Sequence, residues 1–198
     1  IAMVKGRQRL TEEQREAIES IGFEIERYKG GNKMLTIEKA TQLLNIAFNE
    51  YPSLKDEEIN IKYSEQFEIE STAFDNMVSI VKELPRDNFK SWMDRYLESE
   101  FNLDPNVYMF YNFTEVHAFL HEIGHIYYKD MKSDYKEYKN KTYNSYTQAW
   151  REYRNIKSER LADEFAAIVI KNQTIKIWSL MNEISEEEAK EEFEFWSE

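Results

Sequence analysis

Apolar residues recur at helical spacing over several stretches of the chain and alternate over only a few. Thr11-Glu12-Glu13-Gln14 has the form of a capping box, a Thr N-cap with Gln at its third helical position, and opens a helix to about Ile21. Gly30-Gly31-Asn32 breaks the chain. After Thr36, the residues Ala40, Leu43, Leu44, Ala47 and Phe48 fall on one helical face, and Pro52 stops that helix. Ile59, Ile61, Tyr63, Phe67 and Ile69 alternate loosely, which predicts one or two short strands over 59–70 and another over 76–82. Pro85-Arg86-Asp87 ends this segment, and Phe89, Trp92, Met93, Tyr96 and Leu97 predict an amphipathic helix over 88–99. Beyond the turn Asp104-Pro105-Asn106, Val107 to Tyr111 is rich in strand formers. Thr114 then caps a helix over 115–129, with Glu115 in the first turn, where the helix dipole favours an anion. A polar stretch over 130–144 leads into a long helix over 146–172 and one or two C-terminal helices. The order of helices, strands and helices predicts an α+β fold. Its small, mostly antiparallel sheet carries the 115–129 helix, packed by the long downstream helix and by further N- and C-terminal helices.

At this length one domain is expected over 1–198: a helical N-terminal region 1–58, a core 59–172 and acidic C-terminal helices 173–198. The charge changes the picture of partners. Asp and Glu number 38 against 26 Lys and Arg, a formal net charge of −12. Phosphate-backbone binding needs clustered cations, so direct nucleic-acid binding is not expected. The one basic cluster, Lys5, Arg7 and Arg9, reads as a solvated tail. The acidic run Glu186 to Trp196 reads as a solvated helix face that docks Phe193 and Trp196. No apolar stretch approaches the roughly 18–20 residues that span a bilayer, and no secretory pattern opens the chain, so a cytoplasmic location off the membrane is expected.

Candidate chemistry is narrowed by two counts: no Cys and three His. Thiolate zinc sites, iron–sulfur ligation and Cys nucleophiles are thereby excluded. All three His fall within nine residues, at His117, His121 and His125. His121-Glu122-Ile123-Gly124-His125 is an HExxH motif on a predicted helix. Residues four apart lie on one face about a turn apart, so the two imidazoles can share one Zn²⁺. Glu122 is about 100° round from His121, placed to act as general base toward a water without itself being a ligand. Gly124 is expected to leave the metal-facing side uncrowded. His117 is also four residues from His121, but Ala118 follows it, so that pair lacks the base. It reads as a structural residue of the first turn.

No His follows His125, which leaves a carboxylate as third ligand. The favoured candidate lies in Glu159-Arg160-Leu161-Ala162-Asp163-Glu164-Phe165-Ala166-Ala167. Glu159 and Asp163 are four residues apart and point the same way, so Glu159 can ligate while Asp163 accepts a hydrogen bond from the distal N–H of a ligating His. Ala162 and Ala166 would let two helices approach closely. Glu152, Glu164 and Asp130 are rivals for the ligand role, each otherwise a solvated charge.

The two motifs together, over about 107–170, resemble those of the ImmA/IrrE family of gluzincin-like metallopeptidases, in which an HExxH helix is followed by a helix carrying E-x-x-A-[DN]-x-F-A. His121, Glu122 and His125 match the first motif; Glu159, Ala162, Asp163, Phe165 and Ala166 match the second. The resemblance implies a zinc-dependent metalloendopeptidase that hydrolyses a protein or peptide substrate. Family members encoded by phages and mobile elements cleave helix-turn-helix transcriptional repressors. The substrate is expected to lie extended along an edge strand, at 107–111, pairing through its backbone. A hydrogen-bond donor for the oxyanion is also expected, with Tyr143, Tyr146 and Tyr153 as candidates by position. The alternative is a catalytically silent zinc-binding module that binds a regulator without cleaving it.

Overall fold

The computed structural model describes residues 35–63, 70–72, 76–80, 90–104, 106–107, 113–129, 135, 138 and 141–197. All lie in the unit Met34–Glu198. The expected Thr11 helix, the Gly30-Gly31-Asn32 break and the basic cluster at Lys5, Arg7 and Arg9 fall outside the described residues.

Helix α1 (Ile37–Glu50) begins where the sequence predicts, because the Thr36 side chain accepts from the Lys39 backbone N–H at 3.1 Å. It buries Ala40, Leu43, Leu44 and Ala47. Pro52 cannot continue an α-helix, and the chain turns instead through a short 3₁₀ segment, Pro52–Asp56, that buries Leu54. Three short strands follow: β1 (Asn60–Tyr63), β2 (Glu70–Thr72) and β3 (Met77–Ile80). Val78 and Ile80 alternate inward from β3, as the period-two pattern requires.

The strand order is β1-β3-β2, with β1 parallel to β3 and β2 antiparallel to it. The expectation of a mostly antiparallel sheet is therefore corrected: the longer pairing, Asn60↔Met77 to Tyr63↔Ile80, is parallel. Antiparallel neighbours can be joined by tight turns, whereas a parallel pair needs a connection of about a dozen residues or more. The chain between β1 and β3 is that long, and β2 lies within it on the far side of β3. Asn76 enters β3 with φ 45°, a left-handed conformation that Asn tolerates better than most residues.

Helix α2 (Lys90–Phe101) buries Leu97 and half-buries Tyr96. It ends at Asn102, φ 51°, whose N–H reaches back to the Glu98 carbonyl. Val107 sits in a short 3₁₀ turn with Asn106 and is buried, so it is not in a strand; 108–111 lies outside the described residues. Helix α3 (Phe113–Tyr128) carries the HExxH motif and starts one residue before Thr114, which is thus inside its first turn rather than its cap. It is buried on nearly every side, through Val116, His117, Phe119, Leu120, Ile123, Gly124 and Ile126 among others.

The long helix expected over 146–172 is two helices. Helix α4 (Tyr146–Arg154), capped by the Ser145 side chain on the Gln148 N–H, stops at Asn155. Ile156 is extended (ψ 133°) and buried, and helix α5 (Lys157–Asn172) begins after it. No Gly or Pro marks this break; burying Ile156 while turning the chain is a tertiary demand. Helices α6 (Thr174–Asn182) and α7 (Glu186–Ser197) finish the chain. A reciprocal capping box opens α7: Ser185 Oγ accepts from the Glu188 N–H at 3.2 Å, and Glu188 Oε2 accepts from the Ser185 N–H at 2.9 Å. The acidic last helix docks through Phe193, edge-on to the buried Trp178, whose Nε1 donates to Glu192. The Trp196 side chain lies outside the described residues.

The helix–helix contact that matters most is α3 on α5, the most extensive in the described fold. A Cβ on Gly124 would lie 2.9 Å from the Ala162 Cα and 3.1 Å from its carbonyl oxygen. Gly124 thus faces α5 rather than the metal-facing side the sequence reading gave it. The two backbones touch there, which brings the carboxylates of α5 up to the imidazoles of α3. No helix among the described residues is long and apolar enough to cross a membrane.

Candidate metal centre

His121 and His125 project from α3 on one face, with rings edge to face and centroids 4.6 Å apart. Their Nε2 atoms are 3.0 Å from each other. His121 Nδ1 lies 2.8 Å from Asp163 Oδ1. A carboxylate can only accept, so Nδ1 carries the proton and donates, and in the neutral imidazole Nε2 then holds the lone pair. Glu159 closes the site from α5: Oε2 is 3.3 Å from His121 Nε2, and Oε1 is 3.4 Å from His125 Nε2. Glu122, half-buried on the next position round α3, is also close: His121, Glu122 and His125 each offer a donor atom within 4.8 Å of the others and form a group that can hold a metal ion.

The donor set fits such an ion. Oxygen and nitrogen donors at about 2.0–2.1 Å from a tetrahedral Zn²⁺ stand about 3.3 Å from one another. The separations among His121 Nε2, His125 Nε2 and the Glu159 oxygens run from 3.0 to 3.4 Å. Glu159 is 1% exposed, and its Oε2 is buried with no hydrogen-bond donor. A buried carboxylate oxygen without a donor is costly, and a cation held between it and the two Nε2 atoms would satisfy it.

Electrostatics keep both buried carboxylates of α5 ionised. Burial opposes the charge on Glu159, but the adjacent His121 and His125 imidazoles outweigh it and hold its carboxyl well below the usual range. Burial likewise opposes a charged His121, yet the charge and hydrogen bond of Asp163 leave its pKa raised. Asp163 is fully buried, and against that burial His121 and Arg154 keep it ionised. Arg154 Nη1 donates to both Asp163 oxygens at 3.0 and 3.2 Å and lies 3.5 Å from Glu159 Oε2. The break between α4 and α5 is what turns Arg154, at the last position of α4, back onto the first two turns of α5. A buried cation here balances a carboxylate that would otherwise be expensive to ionise.

The structure brings together Glu122, His121, His125, Glu159 and Asp163 as the sequence predicts. It separates the rivals. Glu164 is exposed, Glu152 pairs with Lys141 at 3.4 Å, and Asp130 lies outside the described residues. His117 is buried behind the site with Nε2 3.5 Å from Asp163 Oδ1, and burial pushes its pKa down to about 3, so it is neutral. Of the tyrosines named by position, Tyr143 turns its hydroxyl to the Tyr138 carbonyl at 2.8 Å, and the Tyr146 side chain is outside the described residues. Tyr153 lies beside Glu159, its phenol pKa raised by burial first and by the Glu159 charge second. Two residues were missed. Arg154, at the end of an amphipathic helix, has the sequence signature of a solvent-facing charge. Tyr135, in the polar 130–144 stretch, donates its hydroxyl hydrogen to Glu159 Oε1. No periodicity in that stretch distinguishes it from its Tyr and Lys neighbours.

Comparison of the chain with protein-family models, with curated proteins and with solved structures finds no match in any of the three.

Proposed function

We propose that the chain is a zinc-dependent metalloendopeptidase, with His121, His125 and Glu159 as ligands and Glu122 as general base. The observation that carries this reading is the convergence of the two imidazole Nε2 atoms and both Glu159 oxygens within 3.0–3.4 Å, with Glu122 in the same group. Two His and one Glu are a ligand set of catalytic zinc, which leaves a fourth position open. The motif resemblance to ImmA/IrrE peptidases supports the same reading and a protein substrate of helix-turn-helix repressor type.

When bound, the ion supplies Lewis acidity toward the attacking water and the scissile carbonyl. The other steps belong to the chain's own groups. Asp163 holds the proton on His121 Nδ1 and so keeps Nε2 available as a ligand. Arg154 keeps Asp163 in its accepting, ionised form. Glu122 takes a proton from the attacking water on its carboxylate and delivers it to the amide nitrogen as the C–N bond breaks, so that one group serves as base and then acid.

The test is Glu122→Gln. It should retain one zinc per chain, measured by elemental analysis of the purified protein. It should also lower hydrolysis of casein or of a co-purifying partner by at least ~10³-fold, the upper range for loss of a general base. Stoichiometric zinc in both forms with no cleavage by either, and equal partner binding, would favour the silent binding module. Absence of zinc after incubation with Zn²⁺ at neutral pH would sink both.

A further inference from the structure

Addition of water to a peptide carbonyl develops negative charge on its oxygen, and a donor aimed at that position accelerates the step. Two of the polar groups around Glu159 and Asp163 are committed elsewhere. Arg154 is buried and held on Asp163. His117 is buried behind the site, stacked on Phe113, with Asp163 as its polar neighbour. Tyr143, on the outer side, gives its hydroxyl hydrogen to a backbone carbonyl.

Tyr135 is placed differently. Its hydroxyl donates to Glu159 Oε1, the oxygen that also lies 3.4 Å from His125 Nε2. The residue is half-buried. The ring is braced by Tyr153 (centroids 6.2 Å), which is itself packed against Tyr138 (5.6 Å). Adjacent donor positions of a tetrahedral site are about 3.3 Å apart, a little beyond the roughly 2.5–3.0 Å of an O–H···O hydrogen bond. A hydroxyl that touches one position can therefore serve its neighbour with a small movement.

We infer that Tyr135 is the hydrogen-bond donor to the carbonyl oxygen of the scissile peptide as charge develops there, an assignment that rests on the peptidase reading. Without substrate its O–H is satisfied by Glu159; with substrate the same O–H turns to the substrate oxygen. No proton is transferred from Tyr135, so the proton count of the reaction is carried by Glu122 alone.

The experiment compares the full chain with Tyr135→Phe, using Tyr143→Phe as control. Three quantities are read: metal content, turnover of casein, and the affinity of inorganic phosphate, a tetrahedral oxyanion, for the Co²⁺-loaded protein by its visible absorption. Tyr135→Phe should bind one metal ion as tightly as the unmutated chain. Its kcat should fall ~10²–10³-fold with KM unchanged, and its phosphate affinity should fall about tenfold or more, while Tyr143→Phe changes none of these. Full turnover in Tyr135→Phe, loss of metal from it, or phosphate that binds both proteins equally or neither would overturn the assignment. Loss of metal would mark Tyr135 as a structural support of Glu159. If no form cleaves casein or a partner, the peptidase reading fails, and the phosphate comparison alone decides whether Tyr135 serves an oxyanion.

Discussion

His117 shows how much burial decides at the scale of one residue. It sits four positions before His121 on the same helix, yet it meets the carboxylate that orients the site rather than the site's opening. Burial lowers its pKa from the ordinary 6.5 to about 3; the Asp163 charge opposes that shift, and His121 and Arg154 reinforce it. The sign of the consequence follows from linkage. Below pH 6.5 the unfolded chain binds a proton at His117 that the folded chain refuses, so folding loses stability as the pH falls from 6.5 toward 3. Between pH 7 and pH 5 the loss amounts to about 2 kcal/mol. His117→Leu should remove this part of the acid sensitivity, measured as the difference in urea unfolding free energy of metal-free protein at the two pH values. An unchanged pH difference in the variant would refute a neutral buried His117.

At the scale of elements, the contact of α3 with α5 carries the site. Gly124 has no Cβ at the one position where the α3 backbone meets the Ala162 Cα and carbonyl. A methyl group there forces the helices apart, and because the Ala162 atoms it meets are backbone, shrinking the Ala162 side chain gives no relief. Gly124→Ala should lower stability by about 1–3 kcal/mol in spite of its better helix propensity. The double variant with Ala162→Gly should recover none of that loss, as read by chemical denaturation. Recovery would place the contact on the side chain instead. The same helix pair explains why this cluster is legible in sequence: Glu159 and Asp163 are one turn apart on α5, facing His121 and His125 one turn apart on α3.

For the molecule as a whole, the site joins α3, α4, α5 and Tyr135, so a bound ion ties together parts of the chain distant in sequence. An ion that binds only the folded form stabilises it by mass action, about 4 kcal/mol at a free concentration a thousand times its Kd. Chelation should therefore lower the melting temperature of zinc-loaded protein. Readdition of Zn²⁺ should restore it, and Glu159→Gln should show a much smaller response to either. A melting temperature indifferent to chelator would mean that no ion is held by this cluster. Acid should also release the ion, since His121 and His125 must be neutral to ligate.

What the sequence determined by itself is local and periodic. The Thr36 cap and the Pro52 stop are chemistry of adjacent residues. The HExxH face and the Glu159/Asp163 face follow from 3.6 residues per turn, and with no Cys and no His after His125 they narrowed the third candidate ligand to a carboxylate. What the tertiary structure decided is everything set by burial between distant elements. The parallel β1–β3 pairing depends on which partner β1 finds after a long connection. The break at Asn155–Ile156 has no Gly or Pro to announce it, because it is set by burying Ile156. Arg154 and Tyr135 look like surface residues in one dimension. They enter the site only because the folded chain turns a cation onto Asp163 and a hydroxyl onto Glu159, where buried carboxylates demand partners.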